Sequence, residues 1–322
     1  MVKMMLPVAV SMGDSSGIGP EVLRKALADP LVAGGSLLVY GDPDMLAVAP
    51  GPALPAPPQL TIIPVTEPSG AAALEAAIEA LIAGRAGALV TGPIDKVRVA
   101  RVLGEGFVGQ TEHVAQRLGC PGREVMMLAG EQLRVALLTT HVALADVPRR
   151  ITREGTLRVL RTVHDELKRW FGIVRPRLGL CALNPHAGEE GRFGDEEQRI
   201  LCPAVEQARR EGLAVEGPLP ADSMFFKARR GAWDAIVACY HDQGLAPLKL
   251  VCFHEAVNMT LGLPFLRVSP DHGVAREIAG KGLAHPGSMI RALRLAISRA
   301  DLQPEPWRRA ERSQLQGGLT FP

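Results

Sequence analysis

The chain has 322 residues, a length that fits two domains of ordinary size or one large α/β unit. Hydrophobic residues make up 47% and charged residues 22%, which provides for a sizeable core and excludes a mainly disordered chain. Lys and Arg total 36 and Asp and Glu total 34, and only 4% of residues are aromatic. This near balance of charge and scarcity of aromatic rings argue against a nucleic-acid-binding protein.

The five cysteines are an odd number and show no C-x-x-C spacing. Cys181 and Cys239 lie inside apolar runs, so we expect core thiols and a cytoplasmic location. No apolar run approaches the ~20 residues that a membrane-spanning helix needs. The first ten residues carry one Lys and a short apolar stretch, and they favour a first β-strand over a targeting segment.

Short apolar runs alternate with longer amphipathic stretches along the chain, in a pattern that predicts strands and helices in turn. The predicted strands are Leu6–Ser11, Ser36–Tyr40, Ala88–Val90, Arg134–Thr139, Leu178–Leu183 and Asp234–Cys239. The predicted helices are Pro20–Ala28, Ala71–Ala83, Glu112–Leu118, Thr152–Trp170, Glu196–Glu211 and Gly287–Ser298. This alternation indicates an α/β fold with largely parallel sheets flanked by helices. The Pro- and Ala-rich stretch Pro50–Pro58 predicts a surface loop.

A glycine-rich turn, MGDSSGIGPEV at residues 12–22, follows the first predicted strand and opens a helix. Gly17 and Gly19 would let backbone N–H groups approach an anion at the helix N-terminus, and Asp42 ends the second strand where a ribose could bind. The third glycine of a Rossmann signature is absent, and Val22 stands near its place. Two interpretations stay open here: a nucleotide site, or a structural turn that borders a cleft.

Three histidines follow three predicted buried strands. His141 closes RVALLTTH, His186 follows RLGLCAL in LNPH, and His241 follows DAIVACY in YHDQG. Open α/β sheets bind ligands beyond the carboxyl ends of their strands, and three imidazoles suit a divalent cation with one open position. The competing interpretation is that each histidine is an ordinary polar residue at the start of a loop.

Further polar residues suit a substrate that carries phosphate and carboxylate groups. Thr111 lies in GQTE at residues 109–112, and Lys249, Asn258 and Arg267 lie downstream of the last of the three histidines. Each of them taken alone is more often a solvated surface residue.

Several stretches together make the chain resemble one family. They are GIGPE, TGPIDK, LLTTH, LNPHAGEEG, GPLPAD, YHDQGLAPLK, NMTLGLPFLR and SPDHGVAREIAGKG, in that order between residues 12 and 282. The chain resembles the 4-hydroxythreonine-4-phosphate dehydrogenase family of pyridoxal phosphate biosynthesis. The resemblance implies a homodimer with its cleft at the subunit interface and a divalent metal (zinc, cobalt or magnesium) on the three histidines. It implies these further roles: substrate binding by Gln110, Thr111, Lys249, Asn258 and Arg267, and catalysis by Asp222 and Lys249.

The family fold is similar to that of isocitrate and isopropylmalate dehydrogenases, with two domains and a cleft between them. We therefore expect a cofactor-side domain of residues 1–130 with 268–322, and a domain of residues 131–267 that carries the metal and the dimer interface. HGVAREIAGKG at residues 272–282 resembles the adenosine-binding loop of those enzymes. The implied cofactor-binding residues are Asp271, His272, Gly273 and Glu277. A carboxylate at Glu277 accepts hydrogen bonds from a ribose diol and repels a 2′-phosphate, so we expect NAD rather than NADP.

The implied reaction is metal-dependent, NAD-linked oxidation of 4-phosphooxy-L-threonine to 2-amino-3-oxo-4-phosphooxybutanoate, which decarboxylates to 3-amino-2-oxopropyl phosphate. The chain departs from the family where Gln110-Thr111 replaces the usual His-Thr and where Asp14-Ser15-Ser16 replaces Glu-Pro-Ala. A dehydrogenase for 4-phospho-D-threonate or 4-phospho-D-erythronate is therefore the alternative. A three-histidine metal hydrolase and a non-catalytic binding protein are the rivals from other classes.

Overall fold

A computed structural model describes residues 6–46 and 59–302 of the chain. The chain divides into two compact units, the first formed by Met1–Glu124 with Leu263–Pro322 and the second by Val125–Gly262. The domain boundaries expected from the sequence are 130/131 and 267/268, and the roles expected for the two domains stay predictions. The loop predicted at residues 50–58 lies outside the described residues. No helix in the described part of the chain is long and apolar enough to cross a membrane.

Strands and helices alternate along most of the described chain, as the sequence pattern predicts. The strands are β1 (Val8–Ser11), β2 (Ser36–Gly41), β3 (Gln59–Pro64), β4 (Ala88–Thr91), β5 (Val125–Ala129), β6 (Arg134–Leu137), β7 (Arg177–Cys181), β8 (Ala214–Leu219), β9 (Ala235–Ala238), β10 (Val257–Leu261) and β11 (Leu266–Pro270). The helices are α1 (Gly19–Leu27), α2 (Pro43–Leu46), α3 (Ala71–Ile82), α4 (Lys96–Leu103), α5 (Gln110–Arg117), α6 (Val147–Arg150), α7 (Arg153–Phe171), α8 (Cys202–Arg210), α9 (Ala221–Arg229), α10 (His241–Cys252) and α11 (Gly287–Arg299).

The strands of the first unit run parallel in the order β3-β2-β1-β4-β11. Residues of β1, β4 and β11 are buried along their whole length. Burial on both faces is why β1 and β4 read as mainly apolar runs rather than as alternating patterns, whereas β11 also buries Arg267 and Ser269. On one face, Leu74 and Ile78 of α3 pack with Leu89 and Phe265 in a single apolar cluster. Because the strands are parallel, their carboxyl ends meet at one edge of this sheet.

The strands of the second unit follow the order β10-β5-β6-β9-β7-β8. The β10–β5 and β5–β6 pairs are antiparallel, and the pairs from β6 to β8 are parallel. The long helix α7 is capped at its N-terminus by Thr152, whose hydroxyl accepts the N–H of Gly155 at 3.0 Å, and at its C-terminus by Gly172 in a left-handed conformation. Its Trp170 is 0% exposed, so this helix anchors the core of the unit.

Some elements differ from the sequence prediction for identifiable reasons. The predicted helix Glu196–Glu211 begins instead as a π-helical turn at Glu197–Leu201 and becomes α8 at Cys202, because Pro203 cannot donate a helical hydrogen bond. Helix α10 contains Gly244 and Pro247, two residues that weaken a helix pattern in a sequence. It forms nevertheless, since its Leu245 and Leu248 are buried in the core.

A buried carboxylate connects three loops at the carboxyl edge of the first unit. Asp14, which follows β1, is 0% exposed. Its Oδ1 accepts from Arg98 of α4 at 2.5 Å and from the Ser16 hydroxyl at 2.7 Å, and its Oδ2 accepts from Arg276 at 3.0 Å. Arg276 also pairs with Asp95 at 2.8 Å. The segments after β1, β4 and β11 are therefore linked by one group of ion pairs.

The surroundings of Asp14 change its pKa in opposite directions. Burial alone raises the pKa of this carboxyl, but the hydrogen bonds from Ser16 and Arg276 and the charge of Arg98 outweigh it. The pKa of Asp14 therefore lies below its ordinary value, which means that the folded protein stabilises the ionised carboxylate relative to the protonated one.

We expect Gly244→Ala to destabilise the second unit. A Cβ at this position would lie 2.7 Å from Val135 Cγ1 and 3.0 Å from the Ala238 Cβ. Overpacking of about 1–3 kcal/mol outweighs the roughly 1 kcal/mol that Ala gains over Gly in a helix. Urea unfolding followed by the fluorescence of Trp170 and Trp233 measures the loss. Gly106→Ala, where a Cβ meets open space, is the matched control, and equal midpoints for the two variants would contradict the expectation.

We expect Asp14→Asn to lower stability in a pH-dependent way. Because the folded pKa of Asp14 is depressed, its contribution is present above the unfolded pKa of about 3.9 and is lost as pH falls through the folded pKa. The variant should be less stable by about 1.5–3 kcal/mol at pH 7, and this deficit should shrink below pH 4. Urea unfolding followed by circular dichroism, at pH 7 and again below pH 4, tests this expectation. Asp44→Asn, which changes an exposed carboxylate, is the control. A deficit of equal size at both pH values would refute the role of the charge.

Candidate active site

A buried guanidinium lies at the carboxyl edge of the first unit. Arg267 of β11 is 3% exposed, and its Nη2 donates to Thr91 Oγ1 at 2.7 Å and to Gln110 Oε1 at 3.0 Å. Its Nη1 donates to Thr111 Oγ1 at 3.2 Å. Burial lowers the pKa of Arg267 to about 10, partly offset by the charge of Glu112. The side chain therefore remains cationic at neutral pH and provides a fixed positive charge at this edge.

The amide of Gln110 is held in one orientation by its neighbours. Its Oε1 accepts from Arg267 and from the Thr91 hydroxyl at 3.2 Å, and its Nε2 donates to the Gly92 carbonyl at 3.1 Å. The structure thus brings together Gln110, Thr111 and Arg267, three of the predicted substrate residues, and adds Thr91. Thr91 was not among the residues predicted from the sequence, although it opens the TGPIDK stretch, because a threonine at the end of a strand gives no signal of its hydrogen-bond partners.

Three further predicted residues lie in the second unit. Asn258 of β10 is half-buried, and its Oδ1 is buried without a hydrogen-bond partner in the described structure. Lys249 is half-buried in the last turn of α10. Asp222 is exposed in the first turn of α9, and its Oδ1 accepts the N–H of Ser223 at 2.8 Å. The orphaned oxygen of Asn258 is the member of this set best suited to accept a hydrogen bond from a ligand.

The three histidines follow three adjacent parallel strands of the second unit, as the sequence predicts. His141 follows β6, His241 follows β9 and His186 follows β7. The rings of His141 and His241 lie 5.7 Å apart between centroids, at an interplanar angle of 38°. The Nδ1 of His241 lies 2.7 Å from Asp242 Oδ1, a contact that orients the ring and leaves Nε2 facing away from the carboxylate.

His186 occupies a different setting from the other two histidines. It begins a run of left-handed backbone over residues 186–190, and its ring lies 6.5 Å from that of Phe193. Within residues 6–46 and 59–302, no group of three His, Cys, Asp or Glu side chains is arranged to hold a metal ion. The three-histidine site therefore stays a prediction, and the chain by itself brings two of the three rings near each other.

A buried carboxylate that was not predicted from the sequence shapes the loop that carries His186. Glu197 is 3% exposed, and its Oε1 accepts the N–H groups of Leu183 at 2.9 Å and Asn184 at 2.8 Å. Its Oε2 accepts from the Asn184 side chain at 3.0 Å. This buried carboxylate holds the strand exit two residues before His186. A charged residue in an otherwise amphipathic helix pattern gave no signal that it would turn inward.

The predicted cofactor residues lie in one segment after β11, which we call the cofactor loop (residues 271–282). The N–H of Asp271 donates to Ser288 Oγ at 2.8 Å, while Gly273 and Glu277 are exposed. His272 is half-buried, burial lowers its pKa, and its Nε2 is buried without a hydrogen-bond partner among the described residues. The loop thus carries an imidazole nitrogen without a hydrogen-bond partner among the described residues and, five residues later, an exposed carboxylate.

The glycine-rich turn at residues 12–22 supports this loop. The N–H of Ile18 donates to the Val274 carbonyl at 2.9 Å, and the N–H of Gly17 donates to the Asp14 carbonyl at 3.2 Å. A Cβ at Gly17 would lie 2.3 Å from Val274 Cγ1 and 2.4 Å from its carbonyl oxygen, so this position requires glycine. Because both N–H groups are already bound, the structure favours the structural turn over a Rossmann-type phosphate site.

Comparison with known proteins identifies the relatives of this chain. A family model described as pyridoxal phosphate biosynthetic protein PdxA matches residues 59–296. A relative from Xanthobacter autotrophicus, named 4-hydroxythreonine-4-phosphate dehydrogenase, is 43% identical over 92% of this chain and 94% of its own length. The crystal structure of 4-hydroxythreonine-4-phosphate dehydrogenase from Klebsiella pneumoniae superposes with a TM-score of 0.80 and 32% identity, covering 93% of this chain and 99% of that one.

A more distant structure bears on the fold alone. Isocitrate dehydrogenase from Methylococcus capsulatus is 17% identical, with a TM-score of 0.54 over 97% of this chain and 90% of that one. This likeness confirms the predicted isocitrate dehydrogenase-like α/β fold. The family model and the 43% identical relative both extend over most of the sequence, and the chain therefore belongs to the PdxA family of pyridoxal phosphate biosynthetic proteins.

Proposed function

We propose that the chain is a metal-dependent, NAD-linked dehydrogenase of pyridoxal phosphate biosynthesis. Its substrate is 4-phosphooxy-L-threonine, the product is 2-amino-3-oxo-4-phosphooxybutanoate, and decarboxylation of that product gives 3-amino-2-oxopropyl phosphate. The substrate is taken from the name of the relatives, 4-hydroxythreonine-4-phosphate dehydrogenase. The observation that carries the proposal is the buried cation Arg267, which Thr91, Gln110 and Thr111 hold at a strand-end edge.

The Arg267 site suits a doubly charged anionic group. A guanidinium presents several N–H donors in a fixed plane, and its attraction for phosphate is strongest where water is excluded. The hydroxyl of Thr111 lies within hydrogen-bond distance of the same guanidinium and can donate its proton to a bound anion. We assign Asn258 and Lys249 as further substrate-binding residues, which provide an amide and a cation suited to amino and carboxylate groups.

The positions of His141 and His241 are compatible with a shared divalent ion. Two imidazoles bound to one tetrahedral ion at ~2.1 Å have ring centres about 5 Å apart, and the observed separation is 5.7 Å. We assign His186 as the third ligand and propose that the site is completed in a homodimer, with zinc, cobalt or magnesium as the metal. The carboxylate of Asp242 beside His241 serves as the hydrogen-bond partner that fixes its ring.

The cofactor loop is compatible with NAD. The buried Nε2 of His272 provides an unused hydrogen-bonding atom, and the exposed carboxylate of Glu277 can accept from both hydroxyls of a ribose. A 2′-phosphate at the same place would meet the negative charge of Glu277, which favours NAD over NADP. Asp271 and Gly273 complete the cofactor-binding segment.

Each side chain then has a defined task in the oxidation. A divalent ion provides Lewis acidity toward the substrate hydroxyl, and NAD provides the acceptor for hydride. Arg267 and Thr111 bind the phosphate and so fix the position of the reacting carbon. Asp222, exposed at the start of α9, takes the hydroxyl proton directly or through a water molecule. Lys249 places a cation beside the negative charge that develops on the substrate oxygen.

We propose a reducing, cytoplasmic setting for this enzyme. All five cysteines lie in the described part of the chain and are free thiols, and Cys181 and Cys239 are fully buried. Burial raises the pKa of the Cys181 thiol to about 12, so it stays protonated and inert.

The neutral side chain of Gln110 supports a second class of substrate. Its amide is neutral and its oxygen is committed to Arg267 and Thr91, so it adds no positive charge beside the anion. 4-Phospho-D-threonate and 4-phospho-D-erythronate carry the same phosphate on C4, but they have a hydroxyl in place of the amino group on C2. A dehydrogenase for one of these acids is therefore the second candidate function.

A substrate panel tests the proposal. We expect NADH formation, followed by absorbance, to be fastest with 4-phosphooxy-L-threonine, slower with the two phosphorylated hydroxy acids, and weaker when NADP replaces NAD. Chelation of metal followed by dialysis should abolish turnover, and zinc, cobalt or magnesium should restore it. A preference for the threonate or erythronate would establish the alternative. Substrate hydrolysis without a nucleotide would reject the dehydrogenase in favour of a metal hydrolase.

We expect His186→Ala to remove bound metal and to lower kcat/KM by at least about 100-fold. Metal content after dialysis and the rate at saturating NAD measure these two effects. His254→Ala, which removes an exposed imidazole of the same unit, is the control and should retain both. Near-normal metal content and activity in His186→Ala would exclude the proposed ligand role.

A further inference from the structure

We propose that Arg276 is a positioning residue whose ion pairs with Asp14 and Asp95 hold the cofactor loop against the sheet edge and thereby set the affinity for NAD. The inference rests on the proposed function, since it takes NAD as the ligand of this loop. It concerns a residue that precedes Glu277 directly and has no part in the reaction itself. Arg276 does not contact the reacting atoms in this scheme, and it acts through the loop that carries it.

The two ends of the cofactor loop have anchors of their own. At the start, the N–H of Asp271 donates to Ser288 Oγ at 2.8 Å. At the end, Glu21 of α1 accepts the N–H of Gly282 at 3.3 Å and Lys25 donates to the Gly282 carbonyl at 2.8 Å. These contacts hold the ends of the loop to α11 and α1 whether or not Arg276 is present.

The middle of the loop depends on a different set of contacts. The Val274 carbonyl accepts the N–H of Ile18 at 2.9 Å, and the Arg276 guanidinium reaches Asp14 at 3.0 Å and Asp95 at 2.8 Å. Its Nε also donates to Ser16 Oγ at 3.0 Å. Arg276 thus connects the loop to the turns that follow β1 and β4.

Ala275 indicates that these contacts hold the loop against a local strain. Its backbone is left-handed, with φ 43° and ψ 55°, a conformation that costs free energy for any residue with a Cβ. It lies between Val274, bound to Ile18, and Arg276, bound to the two carboxylates. Strained backbone persists where its neighbours are fixed on both sides, and the loss of one anchor should let the segment relax.

A loop that is already in place binds its ligand without paying the entropy of ordering. Glu277 follows Arg276 directly in the chain, so the ion pairs fix the backbone that carries the proposed ribose acceptor. Arg276 is 45% exposed, which leaves its ion pairs open to screening by salt. High ionic strength should therefore weaken NAD binding in the native protein and have less effect once the guanidinium is removed.

Arg276→Met tests the inference, because methionine keeps the length of the side chain and removes the charge. We expect the Kd and KM for NAD to rise about tenfold, with kcat at saturating NAD and the KM for 4-phosphooxy-L-threonine unchanged within about twofold. Arg276→Lys should recover part of the loss. Arg101→Met, on the exposed face of α4, is the matched control and should behave as the native protein.

Asp95→Asn provides a second variant, which removes the carboxylate partner of Arg276 and is expected to have a smaller effect. Asp95 Oδ1 caps α4 by accepting the N–H groups of Val97 and Arg98, and asparagine keeps that cap while removing the charge that binds Arg276. We expect a smaller rise in the KM for NAD. The double variant with Arg276→Met should be no worse than Arg276→Met alone, because both changes remove the same interaction.

Hydrogen exchange of the protein without ligand provides the structural readout. In Arg276→Met, amides of residues 273–279 should exchange faster, while those near Gly282 should not change.

Three outcomes would contradict the inference. If native protein binds NAD by calorimetry and Arg276→Met matches Arg101→Met in exchange and in NAD affinity, the inference is wrong and the proposed function stands. If Arg276→Met lowers kcat without changing NAD affinity, the positioning role is wrong. If native protein binds no NAD, the proposed function fails and the inference fails with it.

Discussion

The direction of the strands is the constraint on which the rest of this structure depends. Because strands β1, β4 and β11 are parallel, the segments that leave them are gathered at one edge, and the same holds for β6, β9 and β7 in the second unit. Residues far apart in sequence, such as Asp14 and Arg276, become neighbours for this reason alone. Strand direction therefore decides which segments meet at these edges, and the side chains on those segments decide which ligands and reactions the edge can support.

Electrostatics distinguishes two kinds of buried charge within the first unit. Asp14 is surrounded by guanidinium groups, so its negative charge is matched inside the protein and serves to hold loops together. Arg267 is held by the neutral oxygens of Thr91, Gln110 and Thr111, which orient the cation and leave it attractive to an anion. The first arrangement is suited to structure and the second to binding, because only the second leaves a charge without an opposite charge bound to it by the hydrogen bonds described above.

Much of the fold was predictable from sequence, because buried parallel strands produce apolar runs such as those at β1, β4 and β9. The histidines were placed correctly at strand ends for the same reason. Strands β5 and β10, which pair antiparallel, and helix α10, interrupted by Gly244 and Pro247, were not predicted, since long-range packing decides them. The inward turn of Glu197 and the bonds of Thr91 were also not predictable, because a polar residue's partner cannot be read from its neighbours in sequence.

The contact between Gly17 and Val274 ties the evolution of two distant segments together. A side chain at position 17 would collide with the carbonyl oxygen of Val274 as well as with its methyl group. Every amino acid has that carbonyl, so no exchange at position 274 can make room for a larger residue at 17. A larger residue can therefore replace Gly17 only if the backbone around Val274 moves as well. Sequence change in the turn at residues 12–22 is limited in this way by the path of the cofactor loop.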